Sequence, residues 1–265
     1  MKTALVAVAK DEDHYIDEWV EYHQKIGFDD VYIYGDEWEL PEPTRSRKGV
    51  FFENWERKKP DAVVKNPQVG CYRDFCKKHW KEYDWAAFFD VDEFLFIKET
   101  NNELKPFLEK HGDCPGVFIQ WLMFGSNNLQ EVVDGDWSVI ERFVQSDDEL
   151  HPTGKTMVNF SVMKNDFLMH CHNIEKTDKF KVQDLFGNEV EGVDNKSDFD
   201  RHNLNMAYLA HYRTKSHQEF LEKVKRNLDG YGDKDWTIHE KDFKDCDKNE
   251  ILNLDLRYYI NSLNT

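Results

Sequence analysis

Short unbroken apolar runs and helically spaced stripes follow one another along the first hundred residues. Residues 4–9 are continuously small and apolar, the pattern of a strand buried on both faces of a parallel sheet, and charge replaces them at Lys10-Asp11-Glu12-Asp13. Ile16, Trp19, Val20, His23 and Ile26 recur at helical spacing up to Gly27, the residue best suited to a left-handed C-cap. Residues 31–34 predict a second strand, so the chain opens with a βαβ unit whose crossover should be right-handed. A third strand is predicted at 49–52, a Lys/Pro-rich surface loop at 57–67 and a helix at 68–83. The apolar run 85–89 then drops directly into Asp90-Val91-Asp92-Glu93.

The second half is less regular. Strands are predicted at 117–121, 158–163, 168–171 and 208–212, with a loop at 124–128 and a polar, acidic loop over 187–200. Ser216-His217-Gln218-Glu219 is a capping box opening a helix with Phe220, Leu221, Val224 and Leu228 inward, and 251–260 reads as a helix docked on the outside. No internal repeat is evident. The organisation predicted is one domain over 1–230, with a ligand-binding half to residue 100 and a less regular half over 101–230. A helical extension over 231–265 completes it.

Composition narrows the function classes. The 265 residues carry 35 Lys+Arg against 52 Asp+Glu, a formal charge of −17, which disfavours nucleic acid and anionic lipid as non-specific partners. No apolar stretch is long enough to span a membrane, and the apolar N-terminus is too short for a signal peptide. Cys71, Cys76, Cys114, Cys171 and Cys246 are scattered and odd in number, which fits a reducing, cytoplasmic setting. Two glycosylation sequons, at Asn159 and Asn195, are then read as chance.

In open α/β sheets, ligands bind beyond the carboxyl ends of the strands, so Lys10 to Asp13, Asp36 and Asp90 to Glu93 are predicted to share one polar crevice. Asp90 and Asp92, two residues apart, fall on one side if strand geometry persists and can share a divalent, oxygen-seeking cation. Such a pair also arises by chance in acidic chains, but here apolar runs flank it, where unpaired charge is expensive. His211 follows an apolar strand and precedes Arg213, Lys215 and a capped helix. A neutral imidazole there suits a metal, and a helix start beside two cations suits a pyrophosphate. Trp121 offers an aromatic face to a sugar ring, or core packing. Arg73 and Lys155 are candidate phosphate or acceptor contacts. His170-Cys171-His172 is not read as a zinc site, because alternation on a strand turns Cys171 away from the two imidazoles.

An ordered set of residues carries a resemblance: Lys10, Glu12, Tyr15, Glu18-Trp19-Val20-Glu21-Tyr22-His23, Gly27, Tyr32-Ile33-Tyr34, Trp85, Asp90-Val91-Asp92-Glu93-Phe94, Trp121 with Phe124-Gly125-Ser126, and 211–216. Together they resemble glycosyltransferase family 92 and its bacterial family-2-like relatives. The resemblance implies a GT-A-like, Rossmann-like α/β fold with a mostly parallel central sheet, a nucleotide-sugar donor (a UDP-sugar), Mn2+ or Mg2+, and a glycan or lipid-linked acceptor in polysaccharide biosynthesis. It also implies that Asp90 touches the ribose or metal, that Asp92 and His211 ligate the metal, and that Lys10, Glu12 and Asp36 surround the nucleoside. Relatives read Tyr-Asp where this chain has Tyr34-Gly35-Asp36. Peripheral contact with a membrane is left open.

Transfer would release a diphosphate whose growing charge is met by the cation, Arg213 and Lys215, and inversion would need a carboxylate base. Asp134 and Asp136 are candidates in the right part of the chain, with Glu131 and Asp147 to Glu149 as alternatives. Two rival readings are a haloacid-dehalogenase-like phosphatase using Asp90 and Asp92, and a catalytically silent transferase-like domain that only binds carbohydrate or a partner.

Overall fold

A computed structural model describes residues 1–55, 67–132, 135–164, 166–175, 179–190, 201–231 and 236–263. Most of the predicted 57–67 loop, residues 191–200 of the acidic tract, Asn195, Asp134 and the Leu228 side chain lie outside the described residues.

The first half is β1 (Thr3–Ala9), α1 (Ile16–Ile26), β2 (Asp30–Gly35), β3 (Val50–Asn54), α2 (Pro67–His79), β4 (Trp85–Phe88) and β5 (Glu93–Ile97). The second half is α3 (Leu104–Lys110), β6 (Gly116–Met123), α4 (Val139–Arg142), β7 (Gln145–Ser146), β8 (Gly154–Asn159), α5 (Phe160–Met163), β9 (Val182–Asp184), β10 (Glu189–Val190) and β11 (Ala207–His211). The chain closes with α6 (His217–Tyr231), α7 (Trp236–Cys246), β12 (Ile251–Leu252) and α8 (Asp255–Leu263).

The fold is α/β, with strand order β10-β9-β6-β8-β4-β1-β2-β3 and β11 bridging β6 to β5. β1 pairs in parallel with both β2 and β4, and β2 with β3, so their carboxyl ends share one edge as the apolar runs predicted. β8 enters antiparallel between β4 and β6, which makes the second half mixed. Leu5, Ala7 and Ala9 of β1 pack toward α1, whereas Ala4 and Val6 pack with Tyr72 and Phe75 of α2; both faces are covered.

The α1 stripe does more than fill the core. β5 pairs on one edge with β11, and side chains of α1 satisfy backbone groups along it: Trp19 Nε1 donates to the Glu93 carbonyl (2.8 Å), Tyr22 donates to the Leu95 carbonyl (2.8 Å), and the Leu95 N–H reaches His23 Nε2 (3.4 Å). His23 Nδ1 lies 2.8 Å from the Trp19 carbonyl, and burial pushes its pKa down to about 3, so it is a neutral core histidine bonded at both nitrogens. Gly27 caps the helix at φ 119°, as predicted.

Three element assignments change. The strand predicted at 158–163 lies at 154–159 instead, because Asn159 accepts the Ser161 N–H and starts the short α5. Residues 168–171 form only a bridge between Met169 and Ile174. Ile251 and Leu252 pair with β7 before α8 begins at Asp255, whose N–H is capped by the Asn253 side chain. Leu256 of α8 is buried in the main core and Arg257 pairs with Glu141 at 2.6 Å, docking the C-terminal segment on α4. Among the described residues, no helix is long and apolar enough to cross a membrane.

The predicted capping box forms at α6: the Ser216 N–H donates to Glu219 Oε2 (3.0 Å) and the Glu219 N–H to Ser216 Oγ (3.3 Å). Glu219 also receives both Arg142 terminal nitrogens at 2.8 Å and the Tyr15 hydroxyl at 2.6 Å, tying α6 to α4 and to the start of α1. Burial alone would raise the Glu219 pKa, but the hydrogen bonds from Arg142, Ser216 and Tyr15 hold it down at about 2.

Two predictions follow from the packing. A methyl group on Gly154 would meet the Ile119 carbonyl oxygen at 2.0 Å and Gln120 Cα at 2.8 Å, both in the paired strand β6. Gly154→Ala should therefore cost about 3 kcal/mol or more in urea denaturation, since backbone must shift. Glu219→Gln leaves Arg142 buried without its charge partner and should cost about 3 kcal/mol at neutral pH. Because the folded carboxylate has the depressed pKa, its stabilisation is full above the unfolded value of about 4.3. The gap between wild type and variant should shrink as pH falls from about 4 through 2.

Candidate active site

β4 ends at Phe88, and the next residues turn rather than extend. The Glu93 N–H donates to the Asp90 carbonyl (3.0 Å) while the Asp90 N–H donates back to Glu93 Oε2 (2.8 Å), closing a turn that starts β5. Strand alternation stops, so the two aspartates take different neighbours. Asp90 receives Gln68 Nε2 on one oxygen and Lys155 Nζ on the other at 2.9 Å. Lys155 also lies 3.7 Å from Glu93 Oε1 and donates to the Cys171 carbonyl (3.1 Å). Burial works against its charge, but Asp90 and Glu93 hold the Lys155 pKa above its usual value. Glu93 is fully buried, which pushes its pKa well up, with Asp90 and Asp92 adding to the push and Lys155 opposing it.

β11 brings the late histidine to this turn. It runs antiparallel to β5, setting His211 opposite Glu93, and parallel to β6, setting His211 beside Met123. The Tyr212 N–H then donates to the Asp92 carbonyl (2.9 Å). His211 Nε2 lies 3.7 Å from Asp92 Oδ1, and Lys223 of α6 donates to Asp92 Oδ2. Burial would raise the Asp92 pKa, yet the ammonium groups of Lys223 and Lys215 hold it far below the usual carboxylate range. Burial also pushes His211 down to about 3, so the imidazole is neutral. His211 and Lys223 also lie within electrostatic reach of Asp90, and of the three residues predicted to converge the structure brings Asp92 and His211 side by side.

Lys215 is buried at a positive φ of 50°, its ammonium 3.7 Å from the centre of the Tyr15 ring. Burial lowers its pKa while Glu12 and Asp92 oppose the shift, which sets Glu12 beside the same cations. Lys10 and Glu12 follow β1, and the Asp36 N–H donates to the Ala9 carbonyl (2.9 Å), so all three sit on the predicted sheet edge. Arg213 turns toward α7 and pairs with Asp242 at 2.5 Å. Arg73 turns away too, to the Met169 carbonyl (2.9 Å) and Glu175. Lys155, foreseen as an acceptor contact, is 1% exposed in its side chain and serves Asp90 from within.

Trp121 is 9% exposed, its ring packed against His211 (4.7 Å between centres), His172 (5.4 Å) and His151 (5.7 Å), so it steadies the His211 ring more than it offers a free face. Asp136 is exposed and precedes Trp137, which stacks on the exposed His14 at 3.7 Å and 7°. That stack lies edge-on to Tyr15 at 6.0 Å, on the Lys215 side of the cluster.

Among the described residues, no group of three or more His, Cys, Asp or Glu side chains is arranged to hold an ion alone. The chemistry of the donors nevertheless suits a hard divalent cation that arrives with phosphate. Asp92 Oδ1 and His211 Nε2 are too far apart for a hydrogen bond, yet both could reach one ion at bonds of roughly 2.1 Å, and such ions commonly take only one or two protein carboxylates beside phosphate and water. His211 Nδ1 is buried with no hydrogen-bond partner among the described residues.

Lys223 and Gln68 were not picked out from the sequence. A signal existed for Lys223, which lies four residues beyond Glu219 on the capped helix, so that both face the same way. Gln68 carried none beyond its place four residues before Tyr72, whose hydroxyl it also contacts at 3.0 Å.

No curated protein matches the chain. Among solved structures, CMP:2-keto-3-deoxy-manno-octonic acid synthetase complexed with CTP is similar at 11% identity with a TM-score of 0.35, over 63% of this chain and 77% of that one. The profile of glycosyltransferase family 92 matches residues 52–249, a span that holds Asp90, Asp92, His211 and Lys223, and on that match the chain belongs to glycosyltransferase family 92.

Proposed function

We propose that this glycosyltransferase moves a sugar from a nucleoside diphosphate sugar, with a UDP-sugar as the leading candidate, to a hydroxyl of a glycan or lipid-linked acceptor, with inversion and with Mn2+ or Mg2+. The observation that carries the reading is the meeting of Asp92, His211, Lys215 and Lys223 at the carboxyl edge of the parallel strands. Membership of a transferase family sets aside the phosphatase alternative and supports an enzyme over the silent reading.

In the proposed reaction the acceptor oxygen bonds to the anomeric carbon, the bond from that carbon to the diphosphate breaks, and the electron pair leaves with the phosphate. The acceptor proton passes to a carboxylate on the opposite side. Asp136, exposed and beside the Trp137–His14 stack, is the described candidate base; Asp134 is a second. Lys10, Glu12 and Asp36 would border the nucleoside. Asp90, held by Lys155 and Gln68, would present a fixed carboxylate to the ribose at little reorganisation cost. Lys215 and Lys223 would stabilise the leaving diphosphate, with Arg213, paired to Asp242 but within electrostatic reach of Asp92, as a further cation. Asp92 and His211 would hold the divalent ion, which when bound supplies Lewis-acid stabilisation of phosphate charge. This local cluster is how a chain of charge −17 can accommodate an anionic donor. A cytoplasmic site of action belongs to the same proposal, supported by five free cysteines.

A thermal-shift screen of nucleoside diphosphates with and without Mn2+ tests class and cofactor together. One nucleotide should raise Tm by roughly 5–10 °C at a hundredfold excess over Kd, only with metal, and Asp92→Asn should abolish the metal-dependent part. No shift with any nucleotide would overturn the reading.

A further inference from the structure

Lys223 occupies the carboxylate that the proposed function reserves for a divalent cation. Its ammonium donates to Asp92 Oδ2, the carboxylate is 8% exposed, and the other oxygen lies 3.7 Å from His211 Nε2, too far for a hydrogen bond. Lys223 is in direct contact with the Asp92 carboxylate, whereas Arg213 pairs with Asp242 and the Lys215 ammonium lies against the Tyr15 ring. A buried carboxylate in that position needs a counter-ion.

The neighbours of Asp92 differ in freedom. Asp92 is tied through its carbonyl to Tyr212, His211 ends a strand paired on both sides, and Lys215 is buried against Tyr15. The Lys223 side chain, by contrast, is 33% exposed and ends a flexible four-carbon stem. A divalent cation and an ammonium repel one another when they share one carboxylate. Of the two positive groups, only the lysine can swing outward, and the start of its helix stays pinned by the Ser216–Glu219 box and Arg142.

We propose that Lys223 is a resident counter-ion of Asp92 that gives way to the divalent cation and turns its ammonium onto the diphosphate arriving with it. This rests on Asp92 and His211 being the metal site of the proposed function. Two consequences follow. Metal alone binds weakly, because it must displace an ammonium that then has no partner. Metal and nucleotide bind cooperatively, because the diphosphate supplies that partner, and the coupling is reciprocal.

The test is a Mn2+ titration read by the electron paramagnetic resonance of free manganese, on wild type, Lys223→Met, Lys223→Gln and Asp92→Asn, each with and without UDP. Lys223→Met should bind Mn2+ alone at least tenfold tighter than wild type, and the enhancement that UDP gives to wild type should shrink by a similar factor. Lys223→Gln, which keeps a polar contact without charge, should show the same direction and serves if the Met variant does not fold. Equal Mn2+ affinity in wild type and both variants, with binding lost in Asp92→Asn, would overturn the counter-ion role and leave the metal site standing. No Mn2+ uptake by wild type or either Lys223 variant, with or without UDP, would overturn both.

Discussion

The site depends on one backbone arrangement, the insertion of β11 between β5 and β6. Its ladder sets His211 opposite Glu93, and the hydrogen bond from the Tyr212 N–H to the Asp92 carbonyl joins the turn after β4 to a strand far along the chain. β5 is itself held on α1 by Trp19, Tyr22 and His23, which bond to its carbonyls and an N–H. Helix, edge strand and late strand therefore position Asp92 and His211 as one rigid unit. Such preorganisation is what a site needs if it is to meet charge without reorganising.

Around that frame the electrostatics are arranged in two layers. Lys155 lies beneath the turn, where it balances Asp90 and Glu93 from a fully buried position. Lys215 and Lys223 lie over Asp92, and both are placed by the region that starts α6. The capping box, Arg142 and Tyr15 fix that start, so the same contacts that stabilise the helix also aim its cations. A strongly acidic chain thus gathers positive charge in one place.

Much of this was legible along the chain. The apolar runs at 4–9, 31–34 and 85–89 announced parallel strands because both their faces are buried, and the charge that ends each run marked the common edge. Ser216-His217-Gln218-Glu219 announced its helix because a capping box is a local exchange of hydrogen bonds. The His23 stripe was legible as a helix face, but its bonds to β5 were not, since β5 itself followed a charged turn and was not distinguished as a strand.

The sequence by itself determined most strands and helices of the first half, the capped helix after Ser216, where the acidic edge lies and that Asp92 and His211 are candidates to meet there, because periodicity, caps and abrupt polarity changes are local properties. Only the tertiary structure decided that Asp90 is held from below by Lys155 and Gln68, that Arg73 and Arg213 turn to other carboxylates, and that Lys223 sits on Asp92. Those outcomes are choices among many carboxylates for each long, flexible cation. Such choices are settled by burial and by which strands pair, and neither is written in the spacing of residues along the chain.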